Sequence, residues 1–166
     1  MINRLLIIIL LVVKIPYSYY RNILKYSDDM IVKASYLRLK SFKQHGVISV
    51  YQHSISVALF SLLFANFLHL KVDKKSLIRG ALLHDYFLYD WHKKDYSHRW
   101  HGFIHASRAL ENASKEYRLN TIERDIIIKH MFPLNISFPK YKESVIVCIA
   151  DKIIAINETL FKRSLK

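Results

Sequence analysis

Four histidines and two aspartates lie in apolar surroundings, where charged groups have no role in packing. The adjacent pair His84-Asp85 ends an apolar helical stretch, and Asp151 lies within a segment rich in Val and Ile. A buried carboxylate is costly unless it is paired or bound to a cation. Imidazole and carboxylate together suit Mn, Fe, Co, Ni or Zn, with Mg as a further candidate. One metal centre would account for all six residues, which are His53, His84, Asp85, His105, His130 and Asp151.

The order and surroundings of these residues resemble the HD superfamily of metal-dependent phosphohydrolases. The first histidine lies in Tyr-Gln-His-Ser-Ile-Ser-Val-Ala, the pair ends Arg-Gly-Ala-Leu-Leu-His-Asp, and the last aspartate lies in Ile-Ala-Asp-Lys. The resemblance covers residues 46–158. The aromatic stretch that follows the pair is similar to that of small stand-alone bacterial HD proteins.

The resemblance implies a role for each of the six residues. His53, His84, Asp85 and Asp151 would hold one divalent ion. In members with two ions, Asp85 bridges them, while His105 and His130 hold the second. Asp85 would then be the catalytic residue, because as the bridging ligand it positions the water that attacks phosphorus.

Because it has both His105 and His130, the chain resembles the two-metal subgroup of the family, such as dinucleoside polyphosphate and cyclic-dinucleotide hydrolases. The chain lacks the Gly-Tyr-Pro signature of the cyclic-dinucleotide branch, and Met131, not a second histidine, follows His130. These departures argue against cyclic dinucleotides. We expect a hydrolase with one or two divalent ions, acting on a nucleotide or related phosphoester. The alternative is a non-catalytic HD module that binds nucleotide or metal.

Basic side chains near the six residues are candidates for binding the substrate anion. Lys152 adjoins Asp151, and His101 precedes His105 by one helical turn, which places both histidines on one helix face. For each basic residue taken alone, a position on the ordinary solvated surface is the alternative interpretation. The candidate substrate-binding residues are Lys152, His101, Arg79, Arg108 and Lys129.

The charge of the chain indicates an anionic partner. It has 26 Lys and Arg against 13 Asp and Glu, a net charge of +13. Compositional accumulation of surface lysine is the alternative explanation. No run of five basic residues and no known nucleic-acid motif occurs, so we expect a small phosphoester partner and no specific nucleic acid. A single cysteine is consistent with a cytoplasmic location.

Residues 5–13 form nine consecutive apolar residues flanked by Arg4 and Lys14. A membrane-spanning helix needs about 20 apolar residues, and no small-residue cleavage site follows this run. We expect a helix packed on the domain or on a partner. Peripheral membrane contact through this N-terminus, or a misassigned start codon, are the alternatives.

Helical periodicity and few Gly or Pro residues predict an all-α fold. We expect one HD-type helical bundle of six or seven helices, with residues 1–44 as leading segment and 45–166 as the HD domain. Residues 49–68 predict a buried central helix, because apolar residues occupy more than one face. Asp73 is expected to cap the next helix and Thr121 a later one. Residues 86–99 are expected to form a loop, either a substrate rim or ordinary surface.

Overall fold

A computed structural model describes residues 15–28, 30–92 and 100–161 of the chain. Within these ranges the chain forms seven α-helices and one two-stranded antiparallel ribbon, which confirms the all-α prediction. The strands are β1 (Lys43–His45) and β2 (Ile48–Ser49). The helices are α1 (Tyr17–Tyr26), α2 (Ala34–Leu37), α3 (Val50–Phe67), α4 (Lys74–Leu83), α5 (His101–Glu116), α6 (Thr121–Lys129) and α7 (Lys142–Phe161).

Helix α3 is the centre of the bundle. It begins with a capping box, in which Ser49 and Gln52 each accept a hydrogen bond from the other's backbone N–H. It packs against α4 and α7, while α6 packs against α4, α5 and α7. Buried residues such as Val57, Ala58 and Leu62 lie on several faces of α3, as its apolar composition predicts. These contacts bring five helices around one point, four of them near an end and α7 near its middle.

The described residues that precede β1 belong to the same apolar core as α3 and α4. Ile23, Met30, Tyr36 and Leu39 are buried in one apolar cluster with α3 and α4. The Tyr36 hydroxyl donates to the carbonyl of Leu82 at 3.0 Å. This bond satisfies a carbonyl near the end of α4, two residues before the HD pair.

Glycine at position 80 allows α4 to approach α6 closely. A Cβ at this position would collide with the Ile126 side chain. Both helices end in a histidine of the expected metal centre, His84 after α4 and His130 after α6. The close approach therefore helps to bring these two helix ends together.

Two local predictions differ from the structure. The ribbon was not expected, because strands of three and two residues are too short for apolar alternation to show. Gly46, with φ of +56°, lies in the turn between β1 and β2. The N-cap of α6 is Asn120, not Thr121: the Asn120 side chain accepts from the Glu123 N–H. The HD pair, expected at the end of a helical stretch, comes directly after α4, which ends at Leu83.

Two expectations fall wholly or partly outside the described residues. The apolar N-terminal run lies in residues 1–14, and the loop expected at 86–99 is described only to His92. In the described part of that loop, Tyr86 and Phe87 are buried. By length and composition, α3 is apolar enough to cross a membrane, but 56% of it is buried within the fold, as is common for a core helix.

Candidate metal centre

The structure brings together the six residues that the sequence singled out, which we call the His–Asp cluster (His53, His84, Asp85, His105, His130 and Asp151). Five helices contribute to it. His53 lies in the first turn of α3, His105 in the second turn of α5, and Asp151 midway along α7. His84 and His130 are the C-caps of α4 and α6, and Asp85 follows His84. All six are buried, with at most 8% of any residue exposed.

Each histidine of the cluster is anchored through Nδ1. His84 and His130 donate to the carbonyls of Ala81 and Ile127, three residues back in their own helices, at 2.7 and 2.8 Å. His105 donates to the carbonyl of His101 at 2.8 Å. His53 donates instead to the Glu158 carboxylate at 2.9 Å. Since Nδ1 carries the hydrogen in every ring, Nε2 is the nitrogen presented to the centre.

The Nε2 atoms form two groups that share Asp85. On one side, Asp85 Oδ2 lies 3.3 Å from His84 Nε2 and 3.8 Å from His53 Nε2. Asp151 Oδ1 completes this group at 3.0 Å from His53 Nε2. On the other side, Asp85 Oδ1 lies 3.4 Å from His105 Nε2 and 3.5 Å from His130 Nε2. Around an ion bound at about 2.1 Å, ligand atoms lie roughly 3.0–3.4 Å apart, which is close to these separations.

The cluster is not satisfied by its own hydrogen bonds. Among the described residues, neither His84 Nε2 nor Asp85 Oδ1 has a hydrogen-bond partner, although both are buried. His105 Nε2 and His130 Nε2 face each other at 2.9 Å. Because both rings carry their hydrogen on Nδ1, this contact needs a proton or a cation near the two lone pairs. The donor set therefore fits a bound cation.

The electrostatics of the cluster also favour positive charge. Burial lowers the pKa of His53, but hydrogen bonds to Asp151 and Glu158 outweigh burial and raise it to about 9. Burial lowers the pKa of His84, and the Asp85 charge then brings it well above its usual range. Burial raises the pKa of both aspartates, yet the surrounding imidazoles hold it far below its usual range. The carboxylates keep their charge, which a divalent ion would offset.

The second group contains a histidine that is easier to keep neutral. Burial is the largest effect on His105, and it lowers the pKa of this imidazole despite the nearby Asp85 charge. A neutral imidazole with its hydrogen on Nδ1 has a free lone pair on Nε2. That is the form in which histidine binds a metal ion.

Three further residues touch the cluster and were missed in the sequence. Gln44 on β1 donates its side-chain amide to Asp85 Oδ2 at 2.6 Å, and no sequence pattern points to it. Glu158 accepts from His53 and lies seven residues after Asp151. That spacing puts both acids on one face of α7 and could have revealed it. His45, also on β1, lies with its ring edge toward His53, the centroids 5.5 Å apart.

Two of the five candidate substrate-binding residues lie beside the cluster. Lys152 and His101 line the same pocket as Asp85 and Asp151. The Lys152 ammonium donates to the carbonyls of His130 and Cys148 at 2.9 and 3.3 Å. The His101 ring stacks on His105 with centroids 4.6 Å apart, and its Nδ1 lies 2.8 Å from the Tyr89 hydroxyl.

The other three basic candidates are bound to acids elsewhere. Arg79 donates to Glu123 at 2.6 Å and to Asp28 at 3.1 Å, and it lines a different cavity. Lys129 Nζ lies 3.0 Å from Asp125 and donates to a loop carbonyl. Arg108 is exposed and lies 3.8 Å from Glu111. None of the three lines the pocket of the cluster among the described residues, because each pairs with an acid outside it.

The pocket at the cluster has a volume of about 550 Å³. Its floor includes Asp85, His105, His130 and Asp151, and its described walls are largely apolar. A volume of this order suits a small-molecule ligand. The described apolar wall residues are Trp91, Gly102, Met131, Pro133, Leu134 and Ala155.

Comparison with known families agrees with this geometry. A family model described as the HD domain matches residues 50–156, well over half of the chain. The chain therefore belongs to the HD-domain family, which confirms the resemblance found in the sequence; most members of this family are hydrolases of the metal-dependent phosphohydrolase type. No curated protein and no solved structure matches the chain. The match begins after Gln44 and ends before Glu158.

Proposed function

We propose that this chain is a metal-dependent phosphohydrolase that cleaves a small anionic phosphoester, a nucleotide or a related molecule. The observation that supports it is the position of Asp85 between two groups of ligand atoms. Its two carboxylate oxygens face different histidine pairs, His53 with His84 and His105 with His130. A carboxylate placed in this way is suited to bridging two cations.

The residues divide between two ions. His53, His84, Asp85 and Asp151 would hold the first, and Asp85 with His105 and His130 the second. When bound, such ions supply an activated water and offset the negative charge of phosphoryl oxygens. The mixed imidazole and carboxylate ligands suit Mn, Fe, Co, Ni or Zn.

The protein's own contribution is to fix the ligand atoms and shape the pocket. The Nδ1 hydrogen bonds hold each ring so that Nε2 faces the centre. His101 stacks on His105 at the pocket wall, which makes its imidazole a candidate to contact a phosphoester oxygen. Lys152 adds positive charge to the same wall. The largely apolar remainder would hold the organic part of the substrate and exclude water.

The first test is the metal content of the purified protein by elemental mass spectrometry, beside an Asp85→Ala variant. We expect close to two transition-metal ions per chain, lost in the variant. Phosphate release is then followed with that metal over nucleoside mono-, di- and triphosphates, dinucleoside polyphosphates and p-nitrophenyl phosphate. Asp85→Ala should abolish the metal-dependent release.

Other outcomes would contradict the proposal. Full hydrolysis by Asp85→Ala would exclude the cluster as the catalytic site. Tight nucleotide binding without product in the presence of any metal would favour a non-catalytic HD module. A wild-type chain that takes up no transition metal, even after incubation with Mn²⁺ or Fe²⁺, would contradict the metal centre itself.

A further inference from the structure

His53 is held differently from the other histidines of the His–Asp cluster. The rings of His84, His105 and His130 are anchored by backbone carbonyls of their own helices. A helix fixes such carbonyls whatever the side chains nearby. His53 is anchored by the side chain of Glu158, 105 residues away in the chain. Its orientation therefore depends on one replaceable residue.

Helix α7 holds the His53 ring at both nitrogens. Asp151 Oδ1 lies 3.0 Å from Nε2, and Glu158 Oε2 lies 2.9 Å from Nδ1. The two acids are two helical turns apart and so share one face of α7. His53 is fully buried and Glu158 is 6% exposed. Solvent is therefore kept from the bond between them.

We propose that Glu158 is a positioning residue for His53. Its carboxylate accepts the Nδ1 hydrogen, which fixes the tautomer and turns Nε2 toward Asp85 and Asp151. A carboxylate in this position also makes the imidazole a stronger donor to a metal ion. The inference rests on the proposed metal centre, and Glu158 lies outside residues 50–156 that match the HD family.

A different role for Glu158 is also open to test. The ligand atoms of His45, His53 and Glu158 lie within 4.8 Å of one another, so that these residues could hold an ion of their own. A positioning residue and a ligand differ in what their removal does. Loss of a positioning residue weakens binding at the His53 site, whereas loss of a ligand removes a separate ion.

The experiment titrates Co²⁺ into chelator-stripped full-length protein, followed by calorimetry and visible absorption. We expect Glu158→Ala to weaken the site that contains His53 by about 10- to 100-fold and to change its absorption spectrum. Glu158→Gln should lose less affinity than Glu158→Ala, because its side-chain carbonyl still accepts from Nδ1 while the charge that strengthens the imidazole is removed. If Glu158→Ala does not fold, Glu158→Asp, which withdraws the carboxylate, should show a smaller loss in the same direction.

The matched control is Glu143→Ala. Glu143 lies on the same helix, is equally buried at 4% exposed, and accepts from the Asp73 N–H far from the cluster. We expect this variant to lose stability while its Co²⁺ affinity and spectrum stay unchanged. If Glu143→Ala lost as much Co²⁺ affinity as Glu158→Ala, the loss in both would reflect a weakened fold and not the positioning of His53.

Two results would overturn the inference while leaving the metal centre intact. One is a Glu158→Ala protein with wild-type Co²⁺ affinity and spectrum. The other is loss of one whole ion with the remaining sites unaltered, which would make Glu158 a ligand. A wild-type chain that binds no Co²⁺ would instead contradict the proposed metal centre, and this inference with it.

Discussion

Two largely buried ionic regions, one around Arg79 and one around Asp85, differ in how completely their polar groups are hydrogen-bonded. In the first, which we call the Arg79 network, Arg79 donates to Glu123, Asp28 and the carbonyl of Arg118. The second is the His–Asp cluster, where His84 Nε2 and Asp85 Oδ1 have no hydrogen-bond partner among the described residues. Both regions line cavities, of about 660 Å³ and 550 Å³ respectively.

The comparison shows that cavity size and buried charge alone do not identify a functional site. The Arg79 network lines the larger cavity, yet its guanidinium already has carboxylate partners. Native proteins leave few buried polar atoms without partners, so those in the cluster need an explanation such as a bound ion. The Tyr117 hydroxyl, at the Arg79 cavity, also has no hydrogen-bond partner among the described residues. What distinguishes the cluster is that its unbonded atoms, an imidazole nitrogen and a carboxylate oxygen, are of the types that bind metal ions.

The largest expected effect comes from Asp85→Asn, which keeps the size of the side chain and removes its charge. We expect phosphoester hydrolysis to fall by more than about 10³-fold, a larger effect than the removal of one oxyanion-hole donor, because an uncharged amide with one oxygen cannot serve both ions as the carboxylate would. Metal content and single-turnover hydrolysis measure this. A variant that keeps two ions per chain and hydrolyses normally would show that the cluster is as self-contained as the Arg79 network.

Arg79→Met should have the opposite profile. Glu123, 2% exposed, would be left buried without its cation, which costs about 3–5 kcal/mol of stability. We expect urea unfolding to shift accordingly, while metal content per folded chain stays at the wild-type value. A second change, Glu123→Gln, should restore much of the stability. Loss of metal from folded Arg79→Met would mean that the two regions are coupled.

Gln44→Leu tests the support of the cluster from β1. The amide of Gln44 donates to Asp85 Oδ2, and a hydrogen bond to a charged group contributes about 1.5–3 kcal/mol. We expect metal affinity to fall by about tenfold or more, measured by Co²⁺ titration. Lys43→Leu, at the exposed neighbouring position, is the control. Equal affinity in Gln44→Leu and Lys43→Leu would remove Gln44 from the support of Asp85.

Much of the fold could be predicted from local sequence, because caps and apolar periodicity act over a few residues. Asp73 does cap α4, with its side chain accepting from the N–H groups of Lys75 and Ser76. The cap at Asn120 could also have been predicted in place of Thr121, since Asn120 and Glu123 have the spacing of a capping box. The ribbon was not predictable, because its two strands together have five residues.

The candidate site was predictable to the same extent: its residue types could be recognised locally, but partners distant in the sequence could not. The histidines and aspartates of the cluster could be recognised in the sequence, because ionic groups in apolar segments are costly unless a partner or a bound cation requires them. Partners could not be predicted for residues far apart in sequence, as Gln44 and Asp85 show. The same limit applies to Arg79 and Glu123, which lie 44 residues apart. Lys129 differs, because it follows Asp125 by four residues on one helix, a spacing from which the pair could have been predicted.

The smallest expected effect on hydrolysis belongs to Lys129→Met. The Lys129 ammonium is paired with Asp125, so its loss should leave hydrolysis within about twofold. Because both side chains are largely buried and Asp125 keeps its bond from the Lys140 N–H, the loss should cost about 1–3 kcal/mol of stability at neutral pH. Burial raises the pKa of Asp125, but the nearby Ser144 hydroxyl, the Lys140 N–H and the Lys129 ammonium together outweigh burial and hold the pKa below its usual range.

The sign of the pH effect follows from that lowered pKa. The stability contributed by the pair is complete above the unfolded pKa of about 3.9 and is lost as the pH falls through the lower folded value. Urea unfolding of wild type and Lys129→Met should therefore differ at pH 7 and converge in strong acid. A variant with unchanged stability but a raised KM would instead place Lys129 at the substrate, and would make this ion pair part of the site and not a counterpart of the Arg79 network.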